Sequence, residues 1–193
     1  MKISFIQRIA LLAALAAAMF ATRECHVGAL PDASWAVFFL GGFYFSTSRA
    51  FLLLMAEAIA IDYVATQHLG ISSYCISPAY VFLLPAHGAL WFGGRWLRGH
   101  RSGLGIRSVS MLAASLFVAV STCFLVSNGS FYWLSGRAAT PTFAGWAANF
   151  GHWYFAFLSA PFAYVGMAAV LHVLAVSLIP ARAASMVDRL ASR

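Results

Sequence analysis

Residues 4–22 read SFIQRIALLAALAAAMFAT, and this stretch decides the fold class. It is continuous, rich in Ala and Leu, and contains one charged residue, Arg8. A helix that crosses a bilayer needs about 20 mainly apolar residues. In lipid only helices and closed barrels satisfy all their backbone hydrogen bonds, and barrel strands would show alternating polarity instead. The stretch therefore predicts a transmembrane α-helix.

The composition of the whole chain extends this prediction. Hydrophobic residues make up 62% of the 193 positions and charged residues only 9%, whereas soluble domains carry about 25% charged residues. The net charge is +7, but the arginines punctuate the apolar segments and do not form one basic face, which excludes nucleic-acid binding. Three cysteines without a CxxC motif or a Cys/His cluster give no sign of a structural zinc site.

The apolar segments predict an all-α membrane protein with six transmembrane helices in a single domain, residues 1–193. Lys2 and Arg8 before the first run also resemble the start of a signal peptide, but the topology needs that run as a span. The predicted spans are 4–22, 33–48, 50–66, 78–96, 106–127 and 153–179. The second is short and contains Gly41-Gly42, so we expect it to tilt, break or be covered by neighbouring helices.

The basic residues set the orientation. With both termini in the cytoplasm, ten Lys and Arg residues fall on the cytoplasmic side and only Arg23 and Arg137 on the external side. This asymmetry follows the positive-inside rule and predicts a multi-pass membrane protein with both termini in the cytoplasm. The cytoplasmic ten are Lys2, Arg8, Arg49, Arg95, Arg98, Arg101, Arg107, Arg182, Arg189 and Arg193.

Cys75 lies in the external segment 67–77, just before Pro78, the predicted start of the fourth span. The positive end of a helix dipole lowers a thiol pKa and favours the thiolate, which is a soft metal ligand and a nucleophile. The alternatives are an inert loop cysteine or a disulfide with Cys25 on the same face. Tyr74 and Tyr80 flank Cys75 and are expected to wall the same cavity.

Two carboxylates fall inside the third span. Intramembrane carboxylates are costly and mark functional or tightly paired sites. Asp62 lies near the external end, where we favour a role in ligand binding. Glu57 lies deeper, and we expect it to pair with a helix hydroxyl, His87 or an arginine. His87 and His172 are expected to form interhelical hydrogen bonds.

The external segments 23–32 and 128–152 carry further candidates for ligand binding. His26 follows the first span, and His152 precedes the last. Arg137 is the only external arginine far from a span end, and it suits a phosphate or carboxamide. Each of these side chains also fits an ordinary interfacial position.

Three stretches carry a family resemblance: residues 31–35 (PDASW), 60–70 (AIDYVATQHLG) and 73–80 (SYCISPAY). Together with the six spans and the Ala-rich first helix, they resemble BtuM, the solitary cobalamin-specific S-component of energy-coupling-factor (ECF) vitamin transporters. The resemblance covers nearly the whole chain, and the segment around Cys75 is its most specific part.

The resemblance implies vitamin B12 (cobalamin) binding and uptake, with a base-off corrinoid in the external half of an S-component-like bundle. Cys75 is then the axial cobalt ligand, and loss of cyanide from cyanocobalamin accompanies that ligation. His26, Asp62 and Tyr80 match the family pattern, and Arg137 is the candidate for a further loop arginine. The implied role is primarily transport, with decyanation as a further activity.

No G-x-x-x-x-G-K-[ST] signature occurs, so uptake is facilitated or uses energy from partners. The expected partner is an ECF coupling module, a transmembrane subunit with ATPases, docking on the small-residue faces of the first helix. Packing of those faces within the bundle is the alternative. Two other functions stay open: an S-component for a different vitamin, and an intramembrane serine protease using Ser72 with His152 or His172.

Overall fold

The computed structural model describes residues 5–23, 30–45, 47–70, 73, 76–100, 103 and 105–191, with side chains as far as residue 177. These residues form helices and no strand, which confirms the all-α prediction for the described part of the chain. The elements are α1 (Phe5–Arg23), α2 (Ser34–Tyr44), α3 (Ser48–His68), a short 3₁₀ helix (Pro78–Phe82), α4 (Leu83–His100), α5 (Ile106–Leu134) and α6 (Phe143–Ala191).

Four of these helices are long and apolar enough to cross a membrane. They are α1, α3, α5 and the part of α6 from Phe143 to Ser177. The α2 helix is apolar but has only 11 residues, and α4 carries Arg95 and Arg98 near its end. The membrane assignment therefore rests on these four helices.

The helices α5 and α6 are longer than the predicted spans. The segment 128–152 was predicted to be an external connection, but only residues 135–142 lie outside the two helices. At 1.5 Å per residue, the 29 residues of α5 extend about 44 Å, against about 30 Å of hydrocarbon. The end of the apolar run marks where a helix leaves the lipid. The helix itself continues beyond that point, because its backbone hydrogen bonds do not depend on apolar side chains.

Glycines allow α2 and α4 to pack with their backbones in contact. A Cβ atom on Gly42 would lie 2.0 Å from the carbonyl oxygen of Trp91, and one on Gly94 would lie 1.9 Å from that of Phe39. Only residues without a Cβ permit this approach, which is the usual role of small residues between membrane helices. The short second helix is therefore covered by its neighbours, one of the outcomes that its Gly-Gly pair predicted.

The core lies around α2. Phe38 and Phe39 are fully buried, together with Leu90 of α4 and Val120 of α5. Many large apolar side chains on the outer faces of the helices are exposed; Phe155, for example, is 74% exposed. An exposed apolar surface of this kind suits a lipid environment.

The Ala-rich faces of α1 do not contribute to the core. The helix buries Leu15, Met19 and Thr22, whereas the alanines at positions 10, 13, 14, 17, 18 and 21 are exposed. These faces were expected either to pack within the bundle or to dock on another membrane subunit. In the described part of the structure they do not pack within the bundle.

Candidate functional site: a polar cluster at one end of the bundle

Arg23 and Asp62 form a bidentate ion pair between the ends of α1 and α3. Nε of Arg23 donates to Oδ1 of Asp62 at 2.6 Å, and Nη2 donates to Oδ2 at 2.7 Å. The two side chains are only 12% and 20% exposed. Parallel charge-assisted bonds of this type are the strongest that a guanidinium and a carboxylate form. The costly intramembrane carboxylate of Asp62 is therefore paired.

Three further residues complete this arrangement, which we call the polar cluster: Arg23, Asp32, Ser34, Asp62 and Tyr80. The hydroxyl of Tyr80 donates to Oδ2 of Asp62 at 2.7 Å. Nη1 of Arg23 donates to Oγ of Ser34 at 3.0 Å and lies 3.8 Å from Oδ2 of Asp32. The cluster thus joins the end of α1, the start of α2, the end of α3 and the 3₁₀ helix before α4, so these four helices alternate in direction.

Local structure explains why these residues meet. Arg23 is the last residue of α1, where a cation interacts favourably with the helix dipole. Asp32 accepts hydrogen bonds from the backbone N–H and the hydroxyl of Ser34, at 2.8 and 2.6 Å, which forms the turn into α2. The hydroxyl of Thr22 accepts the N–H of Ala33 at 3.0 Å and ties the same turn to α1.

The polar cluster keeps hydrogen-bonding capacity for a ligand. A carboxylate offers about four acceptor positions and a guanidinium has five N–H groups. Bonds among the described residues use three acceptor positions of Asp62 and three N–H groups of Arg23. Both side chains can therefore bind amide groups of a ligand without losing their own pair.

An aromatic cluster begins at the residue that follows Ser34 of the polar cluster. Trp35 follows Ser34 in the chain, and its ring centroid lies 6.4 Å from that of Phe124 on α5 and 5.4 Å from that of Phe157 on α6. Phe124 also contacts Phe150 and Tyr154, with centroids 4.8 and 5.7 Å away. These five rings, Trp35, Phe124, Phe150, Tyr154 and Phe157, place an apolar wall between α2, α5 and α6.

The structure brings together some of the predicted site residues. Asp62 and Tyr80 are in direct contact. His26, Tyr74 and Cys75 lie outside the described residues. Arg137 lies in the connection between α5 and α6, where its backbone N–H donates to Oγ of Ser135 at 3.2 Å. No hydrogen bond or ion pair joins Arg137 to the described residues of the polar cluster.

The part played by Arg23 was not predicted from the sequence. Asp62 was singled out as an intramembrane carboxylate, but no partner was assigned to it. The available signal was the need of a buried carboxylate for a cation, together with the scarcity of arginines in the segments that were predicted to be external. Ser34 and Asp32 give no comparable signal, because they join the cluster only through the turn into α2.

His87 and His172 were both expected to form interhelical hydrogen bonds, and one of them does. His172 forms an interhelical hydrogen bond, with its Nδ1 3.0 Å from the hydroxyl of Tyr44. The interhelical prediction for His87 is wrong, because its Nδ1 lies 2.8 Å from the carbonyl oxygen of Leu83 on the same helix. Its Nε2 is buried without a partner among the described residues. Glu57 forms no ion pair or hydrogen bond with His87.

The described residues do not assemble a metal site from their own side chains. No group of three His, Cys, Asp or Glu residues in that part of the chain is placed to hold a metal ion. Cys123, the cysteine that the structure describes, is free and fully buried in the core. A metal bound as part of an organic ligand would need only one protein ligand, for which Cys75 stays the prediction.

Comparisons of the chain with known protein families and with curated proteins find no match. The resemblance carried by residues 60–80 therefore stays a prediction. Of the site residues that it implies, Asp62, Tyr80 and Arg137 lie in the described part of the chain, and Asp62 and Tyr80 are hydrogen-bonded to each other.

Proposed function

We propose that this chain binds cobalamin on the external side of the bacterial inner membrane and takes part in its uptake. The observation that carries the proposal is the contact between Asp62 and Tyr80 within the polar cluster, next to an aromatic wall. Both residues match the family pattern on which the resemblance implies cobalamin binding. They come from different helices, and the fold brings them to one end of the bundle.

The chemistry of the two clusters suits a corrinoid. A corrin ring has broad apolar faces and a fringe of amide groups. Ligand sites of this kind combine apolar walls with a few placed polar groups. The five rings of the aromatic cluster supply the wall, and the carboxylate of Asp62 and the guanidinium of Arg23 supply acceptors and donors for amides.

Cys75 is the proposed axial ligand of cobalt. It lies five residues before Tyr80, so covalent geometry keeps its Cα within about 18 Å of the Cα of Tyr80. His26 follows Arg23 by three residues, so the same covalent limit keeps the Cα atoms of these two residues within about 11 Å of each other. A thiolate is a soft ligand that suits a transition metal. Its coordination to cobalt would displace cyanide as the anion from cyanocobalamin. Tyr74 and Arg137 complete the proposed contacts.

Uptake requires a path across the membrane and a source of energy. We propose six spans with both termini in the cytoplasm, with α2 and α4 crossing beside the four long helices. The exposed Ala faces of α1 are the proposed docking surface for an ECF coupling module, because small residues let a second membrane helix approach closely. An S-component for another vitamin would use the same arrangement with a different ligand.

The test is the visible absorption spectrum of protein purified from cells grown with cobalamin. We expect corrinoid absorbance in the wild type, a changed spectrum and no cyanide loss in Cys75→Ala, and an unchanged spectrum in Cys123→Ala. Cys123 is the matched control because it lies buried in the core. A wild-type protein that binds no added cobalamin would refute the proposal, and mass spectrometry would then identify any other vitamin. Identical spectra for the two variants would remove Cys75 as the ligand.

A further inference from the structure

An apolar groove opens at the end of α2 that lies away from the polar cluster. It has a volume of about 130 Å³ and is lined by α2, α4, α5, α6 and Gly103, roughly ten times the space that one water molecule needs. Phe39 and Val165 form its fully buried floor. Phe43, Leu112 and Val173 contribute to its walls. Water has few polar partners in such a space, so an apolar occupant is favoured.

The groove lies beside the second half of α2, where Phe39, Leu40, Phe43 and Tyr44 line it. The 11 residues of α2 extend about 16 Å, roughly half the hydrocarbon thickness of a bilayer. The helix ends at Tyr44, whose hydroxyl is hydrogen-bonded to His172 of α6. This bond holds α2 and α6 at a fixed separation beside the groove.

The mouth of the groove is basic. Nη1 of Arg98 donates to the carbonyl oxygen of Tyr44 at 3.4 Å, which places the guanidinium at the lip. Arg107 is exposed and precedes Ser108, which lines the groove. The structure describes three acidic side chains: Asp32, Glu57 and Asp62. None of these three lines the groove. An apolar slot with a basic mouth is complementary to an anionic amphiphile.

We infer that the groove binds an anionic phospholipid, with one acyl chain between α2, α5 and α6 and the phosphate at Arg98 and Arg107. The positive-inside orientation places this mouth at the cytoplasmic leaflet. Basic pockets between membrane helices on that side are suited to anionic lipid head groups. The site lies at the other end of α2 from the polar cluster and does not depend on the vitamin proposal.

Native mass spectrometry of the detergent-purified full chain tests the head-group contact. With added palmitoyl-oleoyl phosphatidylglycerol, we expect a complex of one protein chain with one lipid. Phosphatidylcholine with the same acyl chains should bind more weakly. Arg98→Gln should weaken phosphatidylglycerol binding about five-fold, the factor expected for one basic residue near an anionic lipid. Arg8→Gln is the control, because it removes an equal charge from the predicted cytoplasmic side of α1. Equal effects of the two variants, or equal binding of the two lipids, would overturn the inference.

A second pair of variants tests the acyl-chain position. Val109→Trp fills the groove, whereas Val118→Trp adds the same bulk to another exposed position of α5. We expect only Val109→Trp to reduce phosphatidylglycerol binding, with thermal melting showing that both variants are folded. Equal binding by the two variants would refute the acyl-chain assignment. A dimer that Val109→Trp abolishes would place a second copy of the chain there and would also refute it.

Discussion

Replacement of Gly94 by alanine tests the packing of α2 on α4. In the structure a Cβ at this position would lie 1.9 Å from the carbonyl oxygen of Phe39 and 2.9 Å from the backbone nitrogen of Phe43. Both contacts are to backbone atoms, so no side-chain rotation relieves them. An ordinary C···O contact is about 3.3 Å, so the two helices must separate by roughly 1.4 Å.

The expected cost follows from this displacement. Overpacking a well-packed core costs about 1–3 kcal/mol, and a clash with backbone belongs at the upper end. Alanine recovers about 0.5–1 kcal/mol relative to glycine within a helix. The free energy of unfolding should therefore fall by about 2–2.5 kcal/mol. For a chain of this size, this corresponds to a decrease in melting temperature of roughly 5–10 °C.

The assay is thermal melting of the purified protein in detergent, followed by size-exclusion chromatography of heated samples. Gly88→Ala is the matched control: it lies on the same helix, and no atom lies within 4 Å of its added Cβ. It should melt at the wild-type temperature or a few degrees higher, by about 1–4 °C. If Gly94→Ala and Gly88→Ala melt together, the backbone contact between α2 and α4 is incorrect.

Two further predictions concern the ion pair and the topology. Asp62→Asn leaves the guanidinium of Arg23 without its bidentate carboxylate and should lower the free energy of unfolding by about 3 kcal/mol, the lower end of the cost of breaking a buried ion pair, because the two side chains are 12% and 20% exposed. Adding Arg23→Gln should cost less than the sum of the single changes in the same melting assay, and strict additivity would contradict the pairing. For topology, Thr140→Cys in a cysteine-free background should react with an impermeant maleimide in intact cells, and Gly99→Cys only after permeabilisation. The opposite pattern would reverse the orientation.

The helical class and the membrane setting could be predicted from the sequence because both depend on local properties. A continuous apolar run such as residues 4–22 must satisfy its backbone hydrogen bonds within itself, so lipid leaves it little choice but a helix. The cost of a carboxylate in lipid likewise marked Asp62 without any knowledge of its surroundings. The lengths of α5 and α6 were misjudged because hydropathy reports where lipid ends, and a helix continues in water.

Only the tertiary structure decided which residues meet. Arg23 pairs with Asp62 across 39 positions of the chain, and Gly94 meets Phe39 through the crossing of α2 and α4. Neither contact leaves a periodic signal, because each depends on the angle and depth at which two helices pack. Asp62 and Tyr80 were predicted as separate candidates from their sequence context. Their hydrogen bond, and the polar cluster around it, exist because four helix ends converge on one side of the bundle.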